Sequence, residues 1–63
     1  MFDEEAVRTY IKEFLDNSYF TSDQMSVALV SANKSAFQSG VFSGGIPEFI
    51  EVFHKEWDRK YPK

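Results

Sequence analysis

The last third of the chain carries the pattern that most constrains its fold. Apolar residues recur there at spacings of three and four, which places them on one face of an α-helix. The opposite face is charged, and Pro47 suits the first helical turn because its missing N–H would be unpaired there anyway. The apolar face consists of Ile46, Phe49, Ile50, Phe53, Trp57 and Tyr61. A helix over about residues 47–60 is therefore predicted, and it must bury this face against the rest of the chain.

The beginning of the chain has the same helical periodicity over residues 4–16. Asp3 is a favourable N-cap residue for this first helix. Phe2 precedes the cap and is spaced to pack on Val7 as a hydrophobic staple. The segment is acidic on its outer side. We predict a first amphipathic helix over residues 4–16.

The middle of the chain predicts a second helix over about residues 22–39. Thr21 and Gln24 have the spacing of a capping box, in which each side chain pairs with the other residue's backbone N–H. Gly40 suits the position just past the helix, where the backbone needs a positive φ. The inward stripe of this helix is rich in alanine, which lets a neighbouring helix approach closely.

Three amphipathic helices with short connections predict an all-α, compact three-helix bundle without strands, forming one domain over residues 1–63. At 63 residues the chain is near the lower limit for independent folding. It has no Cys for disulfides, but its seven Phe, three Tyr and one Trp offer large apolar surfaces to bury. The predicted core residues are Ile11, Phe14, Leu29, Ala32, Ile50, Phe53 and Trp57.

The charge pattern disfavours several classes of function. The net charge is −3, and five acidic residues against two basic ones place the excess within residues 1–16. Nucleic-acid binding proteins need a basic surface, so we do not expect a nucleic-acid partner. No apolar stretch is long enough to span a bilayer, and we expect no signal peptide, because no positively charged segment is followed by an apolar run. These features and the absence of Cys predict a cytoplasmic protein.

Chemical sites are weakly indicated. His54 is the only histidine, and Glu51 and Asp58 lie near it on the helix, but transition-metal sites usually have at least three protein ligands that include Cys or several His. The glycine-rich connection over residues 39–45 lacks the Lys and Ser or Thr that close a phosphate-binding loop. We therefore predict no catalytic residues, no metal, no cofactor and no enzymatic activity. No motif is specific enough to indicate a family.

The aromatic surplus carries the most functional content. Tyr19, Phe37 and Phe42 have no assigned place in the three apolar stripes, and aromatic residues are enriched in protein interfaces. Phe37 lies about 100° from the Ala-rich stripe of its helix, on the side of Val30. We predict that Val30, Phe37 and Phe42, with Tyr19, bind a protein partner. The alternative is that these rings cover the ends of the core.

The function predicted from these residues is that of a small protein-interaction module, a regulator, inhibitor or assembly factor of a larger intracellular protein. Two other classes stay open. One is a homodimeric structural module with an aromatic self-interface. The other is an acidic mimic that occupies a nucleic-acid site on its target. The mimic would use Asp3, Glu4, Glu5, Glu13 and Asp16, although Arg8 and Lys12 interrupt this acidic face.

Overall fold

The computed structural model describes residues 2–62 and contains three α-helices. They are α1 (Glu4–Asp16), α2 (Met25–Gln38) and α3 (Ile46–Lys60). They pack into a compact bundle, and residues 2–62 contain no strand. The predicted fold class is confirmed, and the predicted bounds of α1 and α3 agree with the structure to within one residue.

The start of α1 follows the sequence prediction. Asp3 has an extended backbone, and its Oδ1 accepts a hydrogen bond from the Ala6 N–H at 3.1 Å. This bond satisfies one of the free N–H groups of the first turn. Glu4 and Glu5 follow in that turn, where the helix dipole favours negative charge.

The start of α2 differs from the prediction, because the helix begins at Met25 and not at residue 22. The Thr21 N–H donates to Gln24 Oε1 at 2.9 Å, which is half of the predicted capping box. The Thr21 hydroxyl, however, donates to the Asp23 carboxylate and lowers the pKa of that carboxyl. Gln24 N–H donates to the Thr21 carbonyl, so residues 21–24 form a turn before the helix. The prediction that Thr21 caps α2 is wrong because a nearby acceptor takes its hydroxyl.

The core lies between the three helices and is contributed mainly by α1 and α3. Of the predicted core residues, Ile11, Ala32, Phe53 and Trp57 are buried, whereas Phe14, Leu29 and Ile50 are only half-buried at its edge. The prediction that those three residues lie at the centre of the core is therefore wrong. The buried apolar residues are Val7, Ile11, Leu15, Ala28, Ala32, Ala36, Phe42, Phe49, Val52, Phe53 and Trp57.

Polar contacts tie the end of α3 to the end of α1. Lys60 Nζ donates to the Leu15 carbonyl at 2.8 Å and lies 3.5 Å from Asp16 Oδ1. The Tyr61 hydroxyl donates to the Phe20 carbonyl at 2.9 Å. Lys60 thereby places a cation at the C-terminal carbonyl end of α1, where positive charge is favourable.

The only buried carboxylate among the described residues belongs to Glu56, which is 7% exposed. Arg59 pairs with it one turn later, at 3.0 Å between Arg59 Nη2 and Glu56 Oε1. Since buried charges are costly unless they are paired, Arg59 is the group that makes this position tolerable. On the exposed side of α3, Lys55 Nζ lies 3.7 Å from Glu51 Oε1.

Gly45, which precedes α3, is the glycine that the fold most needs. Its φ is +78°, and a Cβ there would lie 2.9 Å from Cδ1 of the Phe2 ring. Gly45→Ala is expected to reduce the free energy of unfolding by about 1–3 kcal/mol, because of backbone strain and displacement of Phe2. Urea unfolding measures this loss. Gly44→Ala is the matched control, since no atom lies within 4 Å of its added Cβ. Equal midpoints for the two variants would contradict the prediction.

Candidate functional site

The four predicted partner-binding residues differ widely in exposure. Tyr19 is fully exposed, Val30 is 67% exposed and Phe37 is 55% exposed. Phe42 is 4% exposed and belongs to the core. Val30 and Phe37 thus have the exposure that a binding role needs, whereas the prediction that Phe42 shares their surface is wrong because its ring is buried.

Phe42 is buried because the connection after α2 folds back over the bundle. Val41 N–H donates to the Ala36 carbonyl and Gly40 N–H to the Phe37 carbonyl, which is the Schellman arrangement at a helix end. Gly40 has the positive φ that this arrangement requires, as the sequence predicted. The turn directs Phe42 inward, where its ring centroid lies 4.9 Å from that of Phe49. A Phe42→Ser substitution would therefore report unfolding and not loss of an interface.

Phe37 stands between the core and the surface. Its ring meets the edge of Phe42 at 5.8 Å between centroids, yet more than half of the side chain remains exposed. Val30 lies seven residues earlier, two helical turns away on nearly the same side of α2. These two residues are part of one exposed apolar face.

That face continues across to α3. A shallow groove of about 290 Å³ runs between the two helices, and its lining includes residues of both. The lining residues are Leu29, Val30, Asn33, Lys34, Ile46 and Ile50. We call these six residues, together with Phe37 in the next turn of α2, the α2–α3 face.

The α2–α3 face points away from α1. On α2 the side toward α1 is marked by Ser35, whose hydroxyl shares a hydrogen bond with the Tyr10 hydroxyl. Asn33 precedes Ser35 by two residues, about 200° around the helix, and so faces the other way. The acidic helix and the apolar face therefore lie on opposite sides of the bundle.

The polar groups that line the groove are the ammonium group of Lys34 and the amide of Asn33. Lys34 is the only charged residue in α2, and none of the ion pairs among the described residues involves it. Asn33 Nδ2 is shielded from solvent and has no hydrogen-bond acceptor within residues 2–62. The face thus offers apolar surface and one cation, with one unsatisfied N–H donor group buried beneath it.

Sequence reasoning placed Ile46 and Ile50 in the core stripe of α3 and so missed their part in this face. Val52 is the residue that would have indicated the correct buried side of α3. It is buried, and with Phe49 and Glu56 it shifts the centre of the buried side toward α1. Ile46, 54% exposed, and the half-buried Ile50 then lie at the opposite edge.

Tyr19 lies apart from the α2–α3 face. It belongs to the connection that enters α2, whereas Phe37 lies in the last turn of that helix. The helix rises about 18 Å between Met25 and Phe37. The structure therefore does not bring Tyr19 together with Val30 and Phe37, and its binding role stays a prediction.

Several carboxylates of the acidic region are engaged within the chain. Asp3 caps α1, Glu4 pairs with Arg8, and Asp16 lies 3.5 Å from Lys60. A mimic of nucleic acid needs free negative charge along a surface. These contacts reduce the free charge, so the structure gives the mimic hypothesis no added support.

The remaining candidate, His54, is exposed on α3. Glu51, which would share an ion with it, is paired with Lys55. Within residues 2–62 no three His, Asp or Glu side chains are grouped so as to hold a metal ion.

Comparison of the chain with protein-family models, curated proteins and solved structures finds no match. None of the helices within residues 2–62 has the length and apolar character needed to cross a bilayer. The surface geometry is therefore the basis for a functional proposal.

Proposed function

We propose that the chain is a non-enzymatic protein-binding module that uses its α2–α3 face to regulate, inhibit or help assemble a larger intracellular protein. The observation that carries this proposal is the exposure of Val30, Phe37 and Ile46 around one groove. Single exposed apolar residues are ordinary, but clustered ones on a small protein favour an interface.

The composition of α2 supports the same proposal. A helix with a polar outer face can stay in water, whereas a helix that is apolar on most sides is normally covered. Of the 14 residues in α2 only Lys34 is charged, and Ala28, Ala32 and Ala36 already account for the side that the bundle buries. Met25 and Leu29 also pack partly against the core, whereas Val30 and Phe37 are mostly exposed and remain available to a partner.

The proposal predicts that one partner depends on Val30. The test compares pull-downs from the native host with the wild-type chain and with Val30→Asp as baits, followed by mass spectrometry. A protein that wild type retains and Val30→Asp loses is expected, because a buried unpaired carboxylate in an interface costs several kcal/mol.

Ser31→Asp is the matched control. Ser31 is in the same helix, is exposed, lies about 100° around the helix from Val30 and does not line the groove. Far-UV circular dichroism establishes that both variants keep the helical fold. If every retained protein is held equally by wild type, Ser31→Asp and a folded Val30→Asp, the α2–α3 face is not the binding surface and the proposal fails.

A further inference from the structure

We infer that the α2–α3 face takes an amphipathic helix of another protein, one that carries a carboxylate beside its apolar stripe to pair with Lys34. This inference rests on the proposed function and names the chemistry of the partner. The shape of the groove, its charge and the unsatisfied amide of Asn33 all favour such a partner.

The groove has the form that a helix fits. It lies between two helices, and its apolar lining comes from both of them, as in other helix-in-groove interfaces. On the opposite side of the bundle α1, itself an acidic amphipathic helix, packs against the same two helices. A partner helix in the groove would complete a four-helix arrangement with α2 and α3 at its centre.

The charge of the face selects against a second copy of the chain as occupant. A two-fold interface brings the same surface from both copies together. The groove lining contains Lys34 and no carboxylate, so the opposing lining offers Lys34 no counter-charge. None of the residues that line the groove belongs to α1. A different chain with an acidic residue at the interface supplies the complementary charge.

Asn33, like Lys34, favours a partner that carries a hydrogen-bond acceptor at the interface. Its buried Nδ2 has no acceptor among the described residues, and a buried unsatisfied donor is costly. Rotation of the amide toward the groove would let it donate to a carboxylate or carbonyl oxygen of the bound helix. Both Asn33 and Lys34 therefore favour a partner with an acceptor next to its apolar side chains.

The test uses a displayed library of helical peptides with leucine fixed along one stripe and the flanking positions randomised. Selection is on the wild-type chain, with counter-selection on folded Val30→Asp. We expect the selected peptides to be enriched in Asp or Glu at one flanking position. A failure to enrich acidic residues, or to obtain any peptide that depends on Val30, overturns the inference about the helix. The proposed function is judged separately by the pull-down.

A charge exchange then tests Lys34 directly by fluorescence anisotropy of one selected peptide. Lys34→Glu is expected to weaken binding by roughly three- to tenfold at low salt, with a smaller effect at high salt. Exchange of the peptide carboxylate for lysine should restore binding to Lys34→Glu. Lys12→Glu makes the same change of net charge on α1 and should leave binding unchanged. Equal losses for the two variants would overturn the inference.

Light scattering of the wild-type chain tests whether a second copy of the chain occupies the α2–α3 face instead of a helix of another protein. A monomer is expected over the concentrations used for the peptide measurements. A dimer that Val30→Asp dissociates, while Ser31→Asp does not, would assign the face to a second copy and overturn the inference.

Discussion

Replacement of Phe53 by alanine is expected to remove most of the folding free energy of this chain. Phe53 is fully buried, and its ring lies 5.8 Å from the ring of Trp57. Truncation of a buried phenylalanine costs about 3–5 kcal/mol, through lost transfer free energy and the cavity left behind. A domain of this length has roughly 3–9 kcal/mol of stability in all, at the usual value per residue. Urea unfolding followed by circular dichroism measures the loss.

Ile46→Ala is the control for Phe53→Ala. It also shortens an apolar side chain of α3, but Ile46 is 54% exposed and leaves little cavity. Its cost should be small beside that of Phe53→Ala, at about 1 kcal/mol or less. If Phe53→Ala unfolds cooperatively near the parent midpoint, the ring is not the centre of the core and the packing described here is wrong.

Most of the fold could be predicted from the sequence because helical periodicity is a local property. The stripes of α1 and α3 and the Asp3 cap each depend on residues within a few positions of one another. The prediction for the start of α2 was wrong for an equally local reason. Thr21 had two acceptors in reach, and the capping-box pattern did not take account of Asp23.

The candidate site was only half predictable, because exposure depends on how helices are rotated against one another. Val30 and Phe37 could be placed off the alanine stripe by counting residues along α2. Ile46 and Ile50 could not be placed in that way, since the buried side of α3 depends on where α1 packs. Val52 and Glu56 record that rotation, but a charged residue such as Glu56 is not recognised as buried from its pattern alone.

The aromatic rings near the second connection were predicted as one exposed patch, and the structure separates them. Phe42 meets Phe49, Phe37 and Phe2, at centroid distances of 4.9, 5.8 and 6.4 Å. It thus joins the start of the chain to α2 and α3. A glycine-rich connection suggests flexibility, yet here its glycines allow the tight turn that brings the ring into the core.

Phe42→Ala and Phe37→Ala therefore form a matched pair with opposite expected results. Phe42→Ala should lower the free energy of unfolding by about 3–5 kcal/mol, because the ring is 4% exposed and its loss leaves a cavity against Phe49. Phe37→Ala should cost about 1 kcal/mol or less, since more than half of that side chain already contacts water. Urea unfolding of both variants measures the difference.

Peptide binding, measured at a temperature where both variants are folded, should be weakened more by Phe37→Ala than by Phe42→Ala. Phe37→Ala removes an apolar side chain from the α2–α3 face. It is expected to weaken the binding of the peptides selected on that face, while the fold stays intact. A loss of stability for Phe42→Ala as small as that expected for Phe37→Ala would mean that the connection over residues 39–45 does not hold Phe42 in the core. In that case Phe42 would be free to join Phe37 at the surface, and the exposed aromatic patch first predicted from the sequence would be the correct description.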